Sequence, residues 1–376
     1  MKKVLILYAT YGGGHFSAAK SINNYITDHY DNVETQLVDC IEFVNKTLNK
    51  VSTGAYNRLT TNAPWAWKKM YYHSEKGMLS KISSGTNKIM ARKINHLLEK
   101  YSPDLVISTH MFSTQMISYL KKKHKTNCAL ATVMTDFEPH EQWLILNEYG
   151  NYFFVSNEKM RNALINEHNI PSEKVYAYGI PISDKFSLEL NSEEIYKTFD
   201  LDPSKKTLLF FGGGAFGIGK EKTVEIFRAI TSFLDRYQVI AVSGKNQKMN
   251  DAFHSISEEL GNPKNLKIFD FINNVPEAMH ISDLVITKPG GLTTTESLAS
   301  HLPMLLINPV PGQEEENAEF LEQAGAAIWL KSNDEAVSVL AGILESDEKL
   351  NDMRLNAEKL AHIDSTKKIC DKLILS

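Results

Sequence analysis

Four short stretches combine residue types and spacings that can do chemistry. The first is Gly12-Gly13-Gly14-His15, directly after the apolar run 4–8. Glycines at a strand–helix turn let backbone amides approach an anion or a polar ligand closely, because no Cβ stands in the way. His15 then falls at a helix start, where the dipole disfavours imidazolium and favours a neutral ring that can accept a proton. A lone histidine there also fits a simple turn cap. Its place behind three glycines on the first strand points to a general base.

The second stretch is longer. Lys288-Pro289-Gly290-Gly291 ends an apolar strand and leads into Thr293-Thr294-Thr295-Glu296. After the next strand, Asn308-Pro309-Val310-Pro311-Gly312 leads into Gln313-Glu314, with Asn317 one turn later. Two neighbouring helix starts would then face one crevice, and such ends bind phosphate without a cation. Glu296 can accept both hydroxyls of a ribose, and Gln313 and Glu314 can bond sugar hydroxyls. Each residue alone also fits helix capping. The spaced set as a whole does not.

The third stretch, Gly212 to Gly219, contains a literal G-x-G-x-x-G at Gly212, Gly214 and Gly217. A dinucleotide site needs an acid about 20 residues on, at the end of the next strand. That strand ends instead in Ser243-Gly244-Lys245. A nicotinamide cofactor is therefore disfavoured, while a phosphate-facing loop through Gly213 and Gly214 remains. The fourth stretch is Thr135-Asp136-Phe137-Glu138-Pro139-His140 with Trp143. Asp136 can assist His15 or touch an acceptor; His140 and Trp143 fit packing equally well. Asp200-Leu201-Asp202 imitates a metal-holding D-x-D, but its place before Pro203 reads as a turn. Asn45-Lys46-Thr47 imitates a glycosylation sequon.

The elements that must position these residues form two similar halves. Each opens with a buried-type strand, a glycine cluster and a helix. Strands are expected near 4–9, 33–39, 104–109, 128–134, 152–156 and 174–178, then near 207–211, 238–242, 266–269, 284–287, 304–308 and 326–329. Continuous apolar strands alternating with helices mean parallel sheets covered on both faces. The expected class is α/β, two Rossmann-like doubly wound domains facing a central cleft, with ligands beyond the carboxyl ends of the strands. The expected division is 1–185, 186–350 and a helical segment 351–376.

The 376 residues suit two or three domains. With 43% hydrophobic and 23% charged residues, disorder and collagen-like fibres are excluded. No apolar run reaches the ~18–20 residues of a membrane-spanning helix, and no signal-peptide cleavage pattern opens the chain. Three scattered cysteines fit a reduced compartment and no disulfide framework. No zinc-ligand spacing occurs, and no metal is expected. Net charge is −4, yet eleven Lys/Arg face only two acids between Lys46 and Lys100. That segment also holds Trp65, Trp67, Lys68, Lys69, Tyr71 and Tyr72. Rings beside ammonium groups suit an anionic bilayer surface. A solvated helical face is the plainer alternative, and no motif supports nucleic acid.

These residues resemble a family of glycosyltransferases that build glycolipids on diacylglycerol: bacterial processive diacylglycerol β-glucosyltransferases and plant monogalactosyldiacylglycerol synthases. A more distant similarity is to the lipid II N-acetylglucosaminyltransferase. The likeness covers nearly the whole chain. It is carried by VLILYATYGGGH, TDFEPHEQW, YGIPISDKF, the Gly212–Gly219 loop, SGKN, SDLVITKPGGLTTTE and NPVPGQEEENAEF. The bacterial enzymes look closer through TKPGG…TE and the VPGQE sequence. The resemblance implies a GT-B fold and a metal-independent, inverting transfer of a hexose, glucose before galactose, from a UDP-sugar to diacylglycerol. It implies that Glu296 holds ribose and that Gln313 and Glu314 hold the donor sugar. Gly213, Gly214, Ser243, Lys245, Gly290, Gly291, Thr294 and Asn317 would complete the nucleotide site, with His15 as base, Asp136 as a second candidate and Gly14 on the acceptor side. The aromatic-basic segment corresponds to the part that dips into the membrane, which implies a peripheral protein on the cytoplasmic face, with no cofactor. A polyprenyl-linked or soluble acceptor, or an NAD-dependent oxidoreductase, are the alternatives.

Overall fold

The computed structural model describes all residues except 11–12, 45–64, 66–67, 69–90, 214–219, 245 and 376. The expected residues Trp67, Lys69, Tyr71, Gly214 and Lys245 lie outside the described set, as does the sequon at Asn45. The chain divides into two compact units, Met1–Asp184 with His362–Ser376, and Lys185–Ala361.

The first unit holds six parallel strands: β1 (Lys2–Tyr8), β2 (Val33–Asp39), β3 (Leu105–Ser108), β4 (Ala129–Val133), β5 (Tyr152–Phe154) and β6 (Val175–Tyr176). Their order is β2-β1-β3-β4-β5-β6. Four consecutive residues of β1, Val4 to Leu7, are fully buried. Leu5 and Leu7 enter one apolar cluster, while Val4 and Ile6 enter another on the opposite face. A strand covered on both sides must read as a continuous apolar run, which is why no alternation shows in the sequence. Each such side chain contributes about 1.5–3 kcal/mol on burial.

The second unit repeats the plan with β7 (Thr207–Phe211), β8 (Gln238–Val242), β9 (Leu266–Phe269), β10 (Leu284–Thr287), β11 (Met304–Leu306) and β12 (Ala327–Trp329). The order is β12-β11-β10-β7-β8-β9, all parallel. Phe210, Phe227 and Phe253 stack at its centre, with ring centroids 4.1 Å apart for the last two.

All twelve expected strands are present, and the pairings make both sheets doubly wound. In each, the chain leaves neighbouring strands in opposite directions, β1 beside β3 and β7 beside β10. The crevice at the carboxyl end of such a pair is where ligands bind in this architecture.

The stretch expected as one C-terminal segment is divided between the units. The helix Asp347–Leu360 packs on the helix Gly291–Ala299 of the second unit. The helix Ser365–Ile374 buries Ile369, Cys370 and Leu373 against Ile22 and Ile26 of the first. The Ser365 and Thr366 hydroxyls donate to the carbonyls of Ile180 and Ile182 at 2.9 and 2.6 Å and fix that return. Asp200 ends the helix Ser192–Phe199 in a left-handed conformation, and Asp202 accepts the Ser204 amide at 2.9 Å. The D-x-D is thus a helix end followed by an Asx turn.

Candidate active site

In the first unit the helix Gly14–His29 starts one turn beyond β1, so His15 lies at the β1–β3 crevice. Its Nδ1 is 2.7 Å from the Thr109 carbonyl oxygen. A carbonyl can only accept, so Nδ1 carries the proton and Nε2 holds the lone pair. The Thr135 hydroxyl lies 3.0 Å from the same Nδ1, and the Thr109 hydroxyl donates to the His15 carbonyl at 2.9 Å. Nε2 makes no hydrogen bond among the described residues. The His110 ring meets His15 edge-on at 4.5 Å, and Trp143 stands 6.4 Å away. Part of the His15 surface stays open. Even so, the surrounding protein desolvates the ring and lowers its pKa to about 4, although the Thr109 bond favours the charged form. The result is a neutral imidazole with a fixed tautomer and an available acceptor.

The bonds that hold this ring come from Thr109 and Thr135. Asp136, next to Thr135, is buried and its carbonyl accepts the Ser156 hydroxyl at 2.8 Å. His140 is a helix cap, with Nδ1 accepting the Gln142 amide at 3.2 Å, and burial lowers its pKa to about 4. Thr109 and His110 were not singled out from the sequence. The signal was available: Ser-Thr-His ends the strand that must lie beside β1 in a doubly wound sheet.

In the second unit, β10 and β11 are neighbours in register, Ile286 opposite Leu305. The helices Gly291–Ala299 and Gln313–Gln323 therefore begin at the same edge of the sheet. Two bonds tie their leading turns together. Lys288 Nζ donates to Glu314 Oε1 at 2.7 Å, and Asn317 Nδ2 donates to the Pro289 carbonyl at 3.1 Å. The second oxygen of Glu314 accepts the Val310 amide at 2.8 Å. Gly312 supplies a backbone conformation, φ 94° and ψ −118°, that side chains rarely adopt.

What this arrangement leaves open is informative. Glu296 and Gln313 make no hydrogen bond or ion pair among the described residues, and both are partly exposed. Desolvation raises the Glu296 pKa to about 8. An unbonded, desolvated carboxyl on one helix and an unbonded amide at the start of its neighbour suit hydroxyl-bearing ligands. Glu314 also braces its loop: one oxygen holds Lys288 and the other the Val310 amide, and each keeps a second acceptor site. Thr294 is fully buried, and its hydroxyl donates to the Gly290 carbonyl at 2.8 Å, inside its own first turn. Ser243 is fully buried and accepts Asn250 Nδ2 at 3.2 Å. Gly290 is open, with Glu314 Oε1 the nearest atom to an added Cβ at 3.9 Å. Gly212 has a packing role, since a Cβ there would sit 2.7 Å from the Phe253 ring. Gly213, at φ +108°, leaves β7 beside β10 and so borders the crevice.

Among the described residues no three His, Cys, Asp or Glu are grouped to hold a metal ion, and no helix is long and apolar enough to cross a membrane. Trp65 and Lys68 are helical and exposed, Trp65 at 74%.

Residues 15–182 match the monogalactosyldiacylglycerol (MGDG) synthase family, and residues 207–373 match the glycosyltransferase family 28 C-terminal domain. Among solved structures, MurG of Acinetobacter baumannii superposes with a TM-score of 0.66 at 12% identity over 100% of both chains. UDP-GlcNAc 2-epimerase from Neisseria meningitidis, bound to UDP-GlcNAc, gives 0.65 at 14% identity, again over 100% of both chains. At such identities the likeness establishes the GT-B fold alone, which here houses different chemistries. Identity over the full length is more telling. The processive diacylglycerol beta-glucosyltransferase of Bacillus cereus is 31% identical over 373 residues, covering 99% of this chain and 93% of that protein. The Bacillus cytotoxicus protein of the same name is 33% identical over 355 residues, covering 94% and 88%. With one fold, matching domains in both halves and this sustained identity, the chain belongs to the processive diacylglycerol beta-glucosyltransferase family.

Proposed function

We propose that this protein transfers glucose from UDP-glucose to the free hydroxyl of diacylglycerol, with inversion at the anomeric carbon, at the cytoplasmic surface of a membrane. The observation that carries the reading is the pair of tied helix starts that leaves Glu296 and Gln313 unbonded. Ionised Glu296 would accept two ribose hydroxyls, and Gln313 would bond the hexose. The amides at Gly290 and Gly291 would face the diphosphate and stabilise the departing UDP without a metal.

On the acceptor side, the tautomer of His15 suits a general base. Nδ1–H stays on the Thr109 carbonyl while Nε2 takes the acceptor proton. Asp136 and Gly14 belong to the same end of the sheet and would border the acceptor. Glu314 would brace the loop and keep acceptor sites for the sugar. The exposed Trp65 and Lys68 support contact with an anionic lipid surface, where the acceptor resides.

The test is incubation of the full chain with anionic vesicles containing diacylglycerol and, separately, radiolabelled UDP-glucose or UDP-galactose, followed by lipid extraction. Label from UDP-glucose in the lipid phase, undiminished by EDTA, is expected. Label confined to water-soluble product, or activity abolished by EDTA, would contradict the reading.

A further inference from the structure

Lys288 follows β10 directly, at the carboxyl edge of the second sheet. Its ammonium is mostly buried and donates to Glu314 Oε1 at 2.7 Å. The same oxygen is the nearest atom to an added Cβ at Gly290, at 3.9 Å. The carboxylate therefore holds the ammonium beside the Gly290 turn, where the helix Gly291–Ala299 begins. That helix makes its first bond from the Thr294 amide to the Gly290 carbonyl at 3.1 Å, and no side chain caps it. The amides of Gly291, Leu292 and Thr293 stay open among the described residues.

A brace for Glu314 needs one donor and no charge. An amide side chain would supply it without burying an ammonium, which is costly to desolvate even when paired. Lysine carries three N–H donors, and Nζ makes no second hydrogen bond among the described residues. Spare donors and a formal charge are thus left at the turn. Transfer of a sugar from a nucleoside diphosphate calls for both. As the anomeric C–O bond breaks, its electron pair stays on a β-phosphate oxygen. A helix start sets about half a positive charge against it. A partly desolvated ammonium sets a whole one, screened less than it would be in water.

We infer that Lys288 is a catalytic residue of the transfer: its ammonium donates to a β-phosphate oxygen of the donor and stabilises the charge that gathers there, while Glu314 keeps it in place. The inference rests on the transferase reading above. The acceptor oxygen bonds to the anomeric carbon and loses its proton to the base. The bond from that carbon to the β-phosphate oxygen breaks, and UDP leaves with the electron pair. Lys288 keeps its own proton throughout.

Lys288→Gln retains a donor for Glu314 and removes the charge; a melting curve checks the fold. Calorimetry on the full chain compares UDP with uridine, and turnover is followed with UDP-glucose and diacylglycerol in anionic vesicles. The variant is expected to bind UDP about 10–100-fold more weakly and uridine within about twofold of the parent. Its kcat should fall by about 10²-fold. UDP and uridine weakened alike, as loss of a mere brace predicts, or UDP affinity and kcat equal to the parent's, would overturn the inference. In the parent with UDP bound, Nζ is expected about 2.7–2.9 Å from a β-phosphate oxygen, and a distance beyond about 4 Å overturns the inference even where the variant does not fold. A parent that binds no UDP would retract the transferase reading and the inference with it. A parent that glucosylates diacylglycerol no faster than Lys288→Gln does would strike the inference alone.

Discussion

Lys288 and Glu314 join two loops of the second unit through a 2.7 Å hydrogen bond between side chains that are only 22% and 15% exposed. Because Glu314 also holds the Val310 amide, it orders both helix starts at once. Glu314→Ala leaves a mostly buried ammonium unpaired and an amide unsatisfied. The expected loss is about 2–4 kcal/mol in urea unfolding, with weakened UDP binding. A Glu314 that touched only the donor sugar would leave stability unchanged in the same experiment.

Glu296 should impose a pH dependence. Its pKa is raised to about 8 from an ordinary 4.5. Between those values the folded chain holds a proton that the unfolded chain has released, so this group erodes stability as pH rises from about 4.5 to about 8. Glu296→Gln removes the effect. The variant's melting temperature relative to the parent should climb across that window and level off above it. UDP affinity of the parent should rise over the upper part of the window, with proton release on binding below pH 8; the variant should show neither.

His15→Ala should lower kcat by about 10²–10⁴-fold at unchanged donor KM, as expected for loss of a general base. The lowered pKa sets the sign of a second effect. The folded chain resists taking the proton between pH 6.5 and about 4, so this group costs stability as pH falls through that range. In the free chain, NMR titration of the His15 ring should give a midpoint near 4. A midpoint near 6.5 would remove the desolvated imidazole.

Trp65→Ser and Lys68→Glu should weaken binding to anionic vesicles by about 5–10-fold each, in line with about 1 kcal/mol per basic residue at such a surface. Neutral vesicles should respond to the first and hardly to the second. Co-sedimentation at low and high salt separates these contributions.

The fold was legible in the chain because the central strands are short apolar runs buried on both faces, such as Val4 to Leu7 and Leu284 to Ile286. The edge strand β2, VETQLVD, is instead mostly polar and is placed by its position between two helical stretches. Spacing alone also placed the Gly290 and Gln313 turns on adjacent strands. Long-range partners were not legible. Nothing local to Glu314 says that Lys288, 26 residues earlier, will take one of its oxygens. The bonds by which Glu314, placed at the sugar by the resemblance, also braces the loop come from the fold and not from the local sequence. Nor does the sequence near His15 show that Thr109, 94 residues on, fixes the tautomer. That contact exists because β1 and β3 are neighbours, a fact of topology.

The most direct measurement is a crystal structure of the full chain with UDP bound. The ribose hydroxyls are expected within about 2.6–3.2 Å of the Glu296 carboxylate, with the diphosphate against the amides of Gly290 and Gly291. A nucleotide bound in the first unit, or seated in the second with Glu296 out of contact, would contradict the central claim.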